Sequence, residues 1–378
     1  MLDITRNDGV EMHPSQFVKP HVGRLVRNCA RPVGGNVVFV THARHFLVFG
    51  AGAIGGVVGA ALWNSGHRVT LVARGQHLTA LREHGLQVQT PNGISRYRIP
   101  AVERPDDDAD LDGDTVVILT VKSQDTQRAL EALAVAASPD VAVVCAQNGV
   151  ENERLALRMF RNVYGASVII PATHLEPGQV SVTAWPVLGV LEVGRYPRGY
   201  DGLAEQLASE LTAAGFDARA VSDVMRWKYA KLLSNVGNAV NAVTQRSGRE
   251  GPLYERARAE ALACYAAAGI EFTSNLEDSE RRHALFRTSA DTAVHTPIAA
   301  SSWQSLARGT GRVETDFLNG EVVLLGRLHG VATPVNEVLQ RVLRRMAAEH
   351  AQPGSVSETH VLAEADAVAA DSNGQMGA

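Results

Sequence analysis

The 378-residue sequence predicts an α/β fold, an N-terminal Rossmann-type doubly wound sheet followed by an all-α C-terminal domain. Three observations predict it. A short apolar run, His45–Gly50, leads straight into a glycine-rich turn and an uncharged helical stretch. Near-continuous apolar runs of strand length then alternate with helical patterns as far as Ser222, as parallel strands buried on both faces require. Beyond Ser222 long helical patterns take over. Length alone, at about 150 residues per domain, allows roughly two domains.

The elements follow in order. Residues 1–44 mix proline, glycine and basic residues without sustained periodicity before Asn36-Val-Val-Phe-Val-Thr41, and are expected to form a disordered N-terminal extension. His45–Gly50 reads as a strand and Ala53–Ser65 as a helix stopped by Gly66. Arg68–Arg74 alternates as a second strand, and 85–103 reads as a hairpin around Pro91-Asn92-Gly93. Thr115–Val121 and Val141–Ala146 read as buried parallel strands, with helices at 126–137 and 151–160. Strand-like pieces at 163–170, 179–193 and 217–222 complete a first domain, 45–222. Helical patterns at 223–245, 252–268, 276–291, 296–308, 312–329 and 334–349 make a second, 223–350. Its last helix has Thr333 as N-cap and Pro334 at the first helical position. Residues 351–378, rich in Ala, Ser, Asp and Gly, read as a disordered tail.

Composition excludes several classes. Hydrophobic residues make up 45% and charged residues 20%, which excludes a wholly disordered or fibrous chain. With 36 Lys and Arg against 40 Asp and Glu, net charge −4 and no long basic run, nucleic acid is not the expected partner. Cys29, Cys145 and Cys264 lie too far apart for a zinc spacing or a disulfide framework, so no metal is expected and the setting reads as reducing and cytoplasmic. Cys145, in an apolar strand, reads as a buried inert thiol. Phe46–Gly66 is uncharged, about long enough to span a bilayer, and contains a Gly55/Gly59 pair at GxxxG spacing. An alternating strand follows it at once, so strand, turn and helix explain it better, and no membrane partner is expected. The N-terminus lacks the apolar stretch of a signal peptide.

The glycine turn carries the first chemistry. In Gly50-Ala51-Gly52-Ala53-Ile54-Gly55, Gly50 permits the tight turn out of the strand, Gly52 lets a pyrophosphate approach the backbone, and Gly55 lets the helix pack close to the sheet. The free N–H groups at the helix start then face the phosphates. Its position between a strand and a helix makes the motif a dinucleotide site rather than a bare turn. An NAD site usually places Asp or Glu at the end of the second strand; this chain has Ala73-Arg74-Gly75-Gln76. Arg74 suits a 2′-phosphate, so the expected cofactor is NADPH/NADP+.

The second half offers a polar stripe. In Arg226–Asn241 the residues Lys228, Lys231, Asn235 and Asn238 recur at spacings of three and four, and no charged residue occurs from Leu232 to Gln245. Ammonium and amide groups on a buried helix need partners, which a polar ligand in a cleft would supply; a seam satisfied within the protein is the alternative. Ser301-Ser302-Trp-Gln304 and Glu314-Thr-Asp316-Phe-Leu-Asn319-Gly320 form the other candidate segment. Alone, Glu314 and Asp316 read equally as helix-start acids.

Together these motifs resemble the ketopantoate reductase family over roughly residues 45–350. The resemblance rests on Gly50–Gly55, Arg74, Thr120-Val-Lys122-Ser-Gln124, Ala146-Gln-Asn148-Gly-Val150, Lys231-Leu-Leu-Ser-Asn235, Ser301-Ser302 and Glu314–Gly320. It implies NADPH-dependent reduction of 2-dehydropantoate to (R)-pantoate on the route to pantothenate and coenzyme A, in a cleft between the two domains. By position, Lys122 resembles the lysine that assists Arg74 at the NADP phosphate, and Asn148 the asparagine near nicotinamide and substrate. Lys231 resembles the catalytic lysine, with Glu314 as the acidic residue that orients it or fixes its charge. Asn235, Asn238 and Ser302 would bind the substrate, a small 2-keto acid. The family's second helix asparagine usually lies four residues after the first, where this chain has Ala239, with Asn238 one residue early; the usual Met-Leu-Gln-Asp after the serine is Trp303-Gln-Ser-Leu306. Those departures keep open a reductase of another 2-keto acid, and a protein that binds NADP(H) without turnover. The family includes monomers and homodimers, and Lys228 remains an internal rival to Lys231.

Overall fold

A computed structural model of the chain describes residues 43–108, 111, 114–244, 249–274, 277, 279, 281, 300–309 and 311–376. The expected N-terminal extension up to residue 42, most of the helix expected at 276–291 and the start of the one expected at 296–308 lie outside the described residues.

Twelve strands occur in the described residues of the first half: β1 (His45–Phe49), β2 (Arg68–Val72), β3 (Leu86–Thr90), β4 (Gly93–Tyr97), β5 (Ala101–Val102), β6 (Val116–Leu119), β7 (Ala142–Cys145), β8 (Asn162–Ile169), β9 (Ala172–Thr173), β10 (Gln179–Val182), β11 (Val190–Arg195) and β12 (Asp217–Ala220). Eight form one sheet in the order β12-β11-β8-β7-β6-β1-β2-β5. β6 and β7 are buried at every residue, as their unbroken apolar sequences require. From β1 the chain moves outward to β2, then returns to place β6 on the other side of β1. That reversal opens a crevice at the carboxyl ends of β1 and β6, where a doubly wound sheet binds its ligand. The sheet is not wholly parallel, since β11 runs antiparallel to β8. The β3–β4 hairpin forms around Pro91-Asn92-Gly93 and joins β10 and β9 in a second, four-stranded sheet.

Helix α1 (Ala53–Asn64) explains why this stretch resembles a membrane span. The main sheet packs on one side, where a Cβ on Gly59 would meet Leu71 at 2.8 Å. The second sheet packs on the other, where a Cβ on Gly56 would meet Val180 at 2.8 Å. A helix covered on both sides has no face for charge. Among the described residues no helix is long and apolar enough to cross a membrane. The remaining helices of this half are α2 (Gly75–His84), α3 (Thr126–Ala136), α4 (Asn152–Leu157) and α5 (Gly202–Ala213).

The second half contains α6 (Val224–Asn235), α7 (Gly237–Thr244), α8 (Pro252–Ala268), α9 (Ser301–Ala307), α10 (Asn319–His329), α11 (Pro334–Ala348) and α12 (Glu358–Met376). They share a core of Leu232, Val236, Val240, Leu253, Val322, Leu339 and their neighbours. Three expectations need correction. The single helix expected at 223–245 breaks at Val236 into α6 and α7. The one expected from 312 begins at Asn319, after a 3-10 turn at Thr315–Phe317. The expected disordered tail forms α12, with Val361 and Ala365 fully buried and Arg341–Glu364 (2.6 Å) and Arg256–Asp366 (2.8 Å) pinning its flanks. Its small residues read as low complexity in sequence, but they let the helix pack closely.

Candidate active site

The crevice is a cleft of about 1310 Å³, lined by the glycine turn and the ends of β2 and β6 on one side and by α6, α7 and α9 on the other. Drug-sized pockets run to roughly 1000 Å³, so the volume takes a dinucleotide with a small acid beside it.

The glycine turn is held from three directions. Thr120 Oγ1 donates to Gly50 O at 2.7 Å. His77 Nε2 donates to Ala51 O at 2.7 Å, while its Nδ1 accepts from Gly178 N at 2.8 Å, which sets the neutral tautomer with the proton on Nε2. A Cβ on Gly55 would lie 2.1 Å from Gly50 O, so close helix–turn packing requires glycine there. A Cβ on Gly52 would meet nothing nearer than His174 Nδ1 at 3.8 Å; it would project into the cleft, where a pyrophosphate needs bare backbone. No acidic residue occupies the first turn of α1. Ala51, Ala53 and Ile54 also line the cleft. These features fit a dinucleotide.

Arg74 lies at the mouth, its side chain 66% exposed, with Nη2 3.4 Å from Asp125 Oδ2. Arg312 takes the other oxygen of Asp125 at 2.9 Å. The trio of two guanidiniums and one carboxylate keeps a net positive charge, which fits a 2′-phosphate.

Lys122 and Glu314, assigned by the resemblance to different tasks, form one ion pair at 3.1 Å. The other oxygen of Glu314 accepts from Ser123 N and Ser123 Oγ, both at 2.9 Å. Burial works to raise this carboxyl, yet Lys122 and the two Ser123 hydrogen bonds outweigh it and leave it below the ordinary carboxylate value. Asn152 Nδ2 donates to Asn148 O at 2.8 Å and to Ser123 Oγ at 3.3 Å. The Asn148 side chain faces the cleft and has no hydrogen-bond partner among the described residues.

On the opposite wall Lys231 and Asn235 stand one turn apart on α6, both lining the cleft. Lys231 Nζ donates to Val168 O of β8. Asn235 is mostly buried, and its amide, which bonds no described residue, is open to a ligand in the cleft. Lys228 does not share this position. It is 3% exposed and forms a closed ion pair with Glu153, which is 0% exposed. Burial raises the Glu153 carboxyl, and Lys228 pulls it part of the way back.

The early asparagine has a physical explanation. Asn238, three residues after Asn235, stays on the cleft face across the break at Val236, and Asn241 lines the cleft after it, while Ala239 is buried. Asn319 Nδ2 donates to Val236 O at 3.2 Å and to Asn336 Oδ1 at 3.0 Å, tying the break to α10 and α11. The two serines of α9 differ in placement. Ser302 is 2% exposed, its Oγ lacks a partner among the described residues, and it does not line the cleft. Ser301 lines it, 3.4 Å from Asn238 Nδ2. Sequence reasoning also assigned no role to Asn241, His77, His174 and Arg308. Asn241 continues the stripe at the next spacing of three; the other three carry no local signal.

Residues 46–198 match the family description "Ketopantoate reductase PanE/ApbA", and 223–347 match "Ketopantoate reductase PanE/ApbA C terminal". This chain belongs to the ketopantoate reductase family. It is 32% identical over 306 residues to a 2-dehydropantoate 2-reductase of Archaeoglobus fulgidus, covering 79% of this chain and 96% of the relative. A 2-dehydropantoate 2-reductase of Pyrococcus horikoshii is 28% identical over 307 residues, covering 79% and 95%. Among solved structures, a PanE/ApbA family ketopantoate reductase from Ralstonia eutropha JMP134 superposes with TM-score 0.68 at 30% identity, over 81% of this chain and 99% of that one.

Proposed function

We propose that this chain is an NADP-dependent oxidoreductase that reduces 2-dehydropantoate to pantoate with NADPH. The observation that carries the reading is the single cleft. It brings the glycine turn and Arg74 together with Lys231, Asn235 and Asn148. The cytoplasmic setting, argued from the scattered cysteines, is part of the same proposal.

When bound, NADPH supplies the hydride. The chain's own residues do the rest. The Lys231 ammonium stabilises the negative charge that develops on the keto oxygen and donates a proton to it, as general acid. Val168 O holds the lysine head in place beside β8. Asn148, Asn235, Asn238 and Ser301 supply neutral hydrogen-bond donors and acceptors for the carboxylate, hydroxyl and carbonyl of the substrate. Lys122 and Glu314 neutralise one another at the cleft floor.

The test is NADPH oxidation at 340 nm with 2-dehydropantoate, pyruvate and 2-ketoisovalerate in parallel. Selective turnover of 2-dehydropantoate is expected, and Lys231→Ala should lower kcat by on the order of 10²–10⁴-fold with NADPH binding kept. Selective turnover of another acid would move the substrate assignment. Tight NADPH binding with no turnover on any keto acid would refute the reductase reading.

A further inference from the structure

Beside the glycine turn is a basic group that the reaction above does not use. Arg308 follows α9 and lines the cleft. Its Nη1 donates to His174 O at 2.9 Å. Its Nε is buried with no hydrogen-bond partner, and no carboxylate pairs with it among the described residues. A half-buried guanidinium without a counter-charge is costly, and burial alone depresses its basicity.

Its surroundings say which anion would pair with it. The His174 ring packs against His77 with centroids 4.4 Å apart and planes tilted by 52°, and His77 bonds to Ala51 O of the glycine turn. His174 Nδ1 is the atom nearest to the missing Cβ of Gly52. Arg308 therefore approaches the turn on the side of Gly52 and His174. Neither histidine supplies positive charge. His77 is fixed neutral by its two partners, and burial above all, with the Arg308 charge, brings His174 down to about 4. The start of α1 offers only the partial charge of a helix terminus, about +0.5, against two phosphate charges.

We propose that Arg308 binds the pyrophosphate of the dinucleotide from the helical domain, closing that domain onto the glycine turn. The proposal rests on the NADPH reading above. Arg308 is then a binding residue for the shared part of the cofactor, distinct from Arg74 at the 2′-phosphate.

The experiment measures dissociation constants of Arg308→Ala and Arg308→Lys for NADPH, NADH, 2′-phospho-ADP-ribose and adenosine 2′-phosphate, with KM for the keto acid. Expected for Arg308→Ala is at least tenfold weaker binding of the three pyrophosphate-bearing ligands by a common factor. The NADPH-to-NADH ratio and the affinity for adenosine 2′-phosphate should stay unchanged. Arg308→Lys, which keeps the charge, should recover part of the loss and serves as the folded comparison should the alanine variant be unstable. Unchanged NADPH affinity with a raised KM for the keto acid would overturn the proposal in favour of a substrate contact. Unchanged values throughout would overturn it in favour of a purely structural role. Failure of the wild-type protein to bind either dinucleotide would instead remove the cofactor reading itself.

Discussion

Lys228 and Lys231 lie on the same helix, three residues apart, and the structure gives them opposite dependences. Replacing Lys228 with Met leaves the Glu153 carboxylate, which is 0% exposed, without its counter-charge. Removing one partner of a buried pair costs about 3–5 kcal/mol. The cost depends on pH. Burial already raises the Glu153 carboxyl and Lys228 opposes that rise, so the variant raises it further. A raised carboxyl holds a proton in the folded state that the unfolded chain has lost. Stability therefore falls as pH climbs from the unfolded value through the folded one. Lys228→Met should lose little in urea melts at pH 5 and most of the 3–5 kcal/mol at pH 8. The double variant Lys228→Met/Glu153→Leu should recover most of the loss, because it leaves no buried charge behind. Under folding conditions Lys228→Met should keep kcat, whereas Lys231→Ala should keep its stability and lose kcat. A pH-independent stability loss, or a folded Lys228→Met with the kcat defect of Lys231→Ala, would refute this division.

Other expectations follow from the same geometry. Gly52→Val should keep the melting temperature and abolish NADPH binding, because its side chain enters the cleft, whereas Gly55→Ala should unfold the first half by driving Cβ to 2.1 Å from Gly50 O. Thermal melts with a cofactor titration separate the two. Arg74→Ala should raise KM for NADPH by about 10–100-fold, the loss of a charge-assisted contact of about 1.5–3 kcal/mol, and leave KM for NADH unchanged; an unchanged ratio argues against the 2′-phosphate role. Glu321 is pushed up to about 7 by burial, with Glu151 adding to the rise. Because its folded value lies above its unfolded one, it costs stability as pH rises from about 4.5 through 7, so Glu321→Gln should stabilise the protein at pH 8 and not at pH 4.5; chemical denaturation at both pH values checks this.

Much of the fold was legible because its signals are local. The unbroken apolar runs of β6 and β7, the Gly50–Gly55 turn and the Pro91-Asn92-Gly93 hairpin each follow from a few adjacent residues. The second sheet was not legible, because β3 and β10 pair across about ninety residues of chain. Nor was the break at Val236, since the glycine beside it, Gly237, is helical and the break is held by Asn319 from another helix. The stripe survives the break: Asn238 and Asn241, at successive spacings of three from Asn235, still line the cleft. Lys228 and Lys231 looked alike in sequence because the stripe showed that each needs a partner, not which partner tertiary packing supplies. Ser301 and Ser302 differ only in which side of α9 faces the cleft, and a seven-residue helix gives too short a period to decide that.

The resemblance gave Glu314 the task of orienting Lys231 or fixing its charge, and its bonds to Lys122 and Ser123 argue for a positioning role rather than proton transfer. A general acid must hold a proton to give. This carboxyl is held below its ordinary value and accepts three hydrogen bonds, from Lys122 Nζ, Ser123 N and Ser123 Oγ. Ionised and fully engaged, it has no proton to transfer, which leaves the Lys231 ammonium as the donor. Its reach matters more than its acidity. Glu314 precedes α10 in the helical half, and both of its partners follow β6 in the sheet half. Ser123 Oγ, its proton given to Glu314, accepts from Asn152 Nδ2 at 3.3 Å, and the same amide donates to Asn148 O at 2.8 Å. The backbone of Asn148, on the sheet side of the substrate, is thus located by a carboxylate delivered from the same half that delivers Lys231. A shift of the helical half that moved Lys231 away from the keto oxygen would pull on Asn148 through this chain of contacts, so the geometry of the two sides is set together rather than separately.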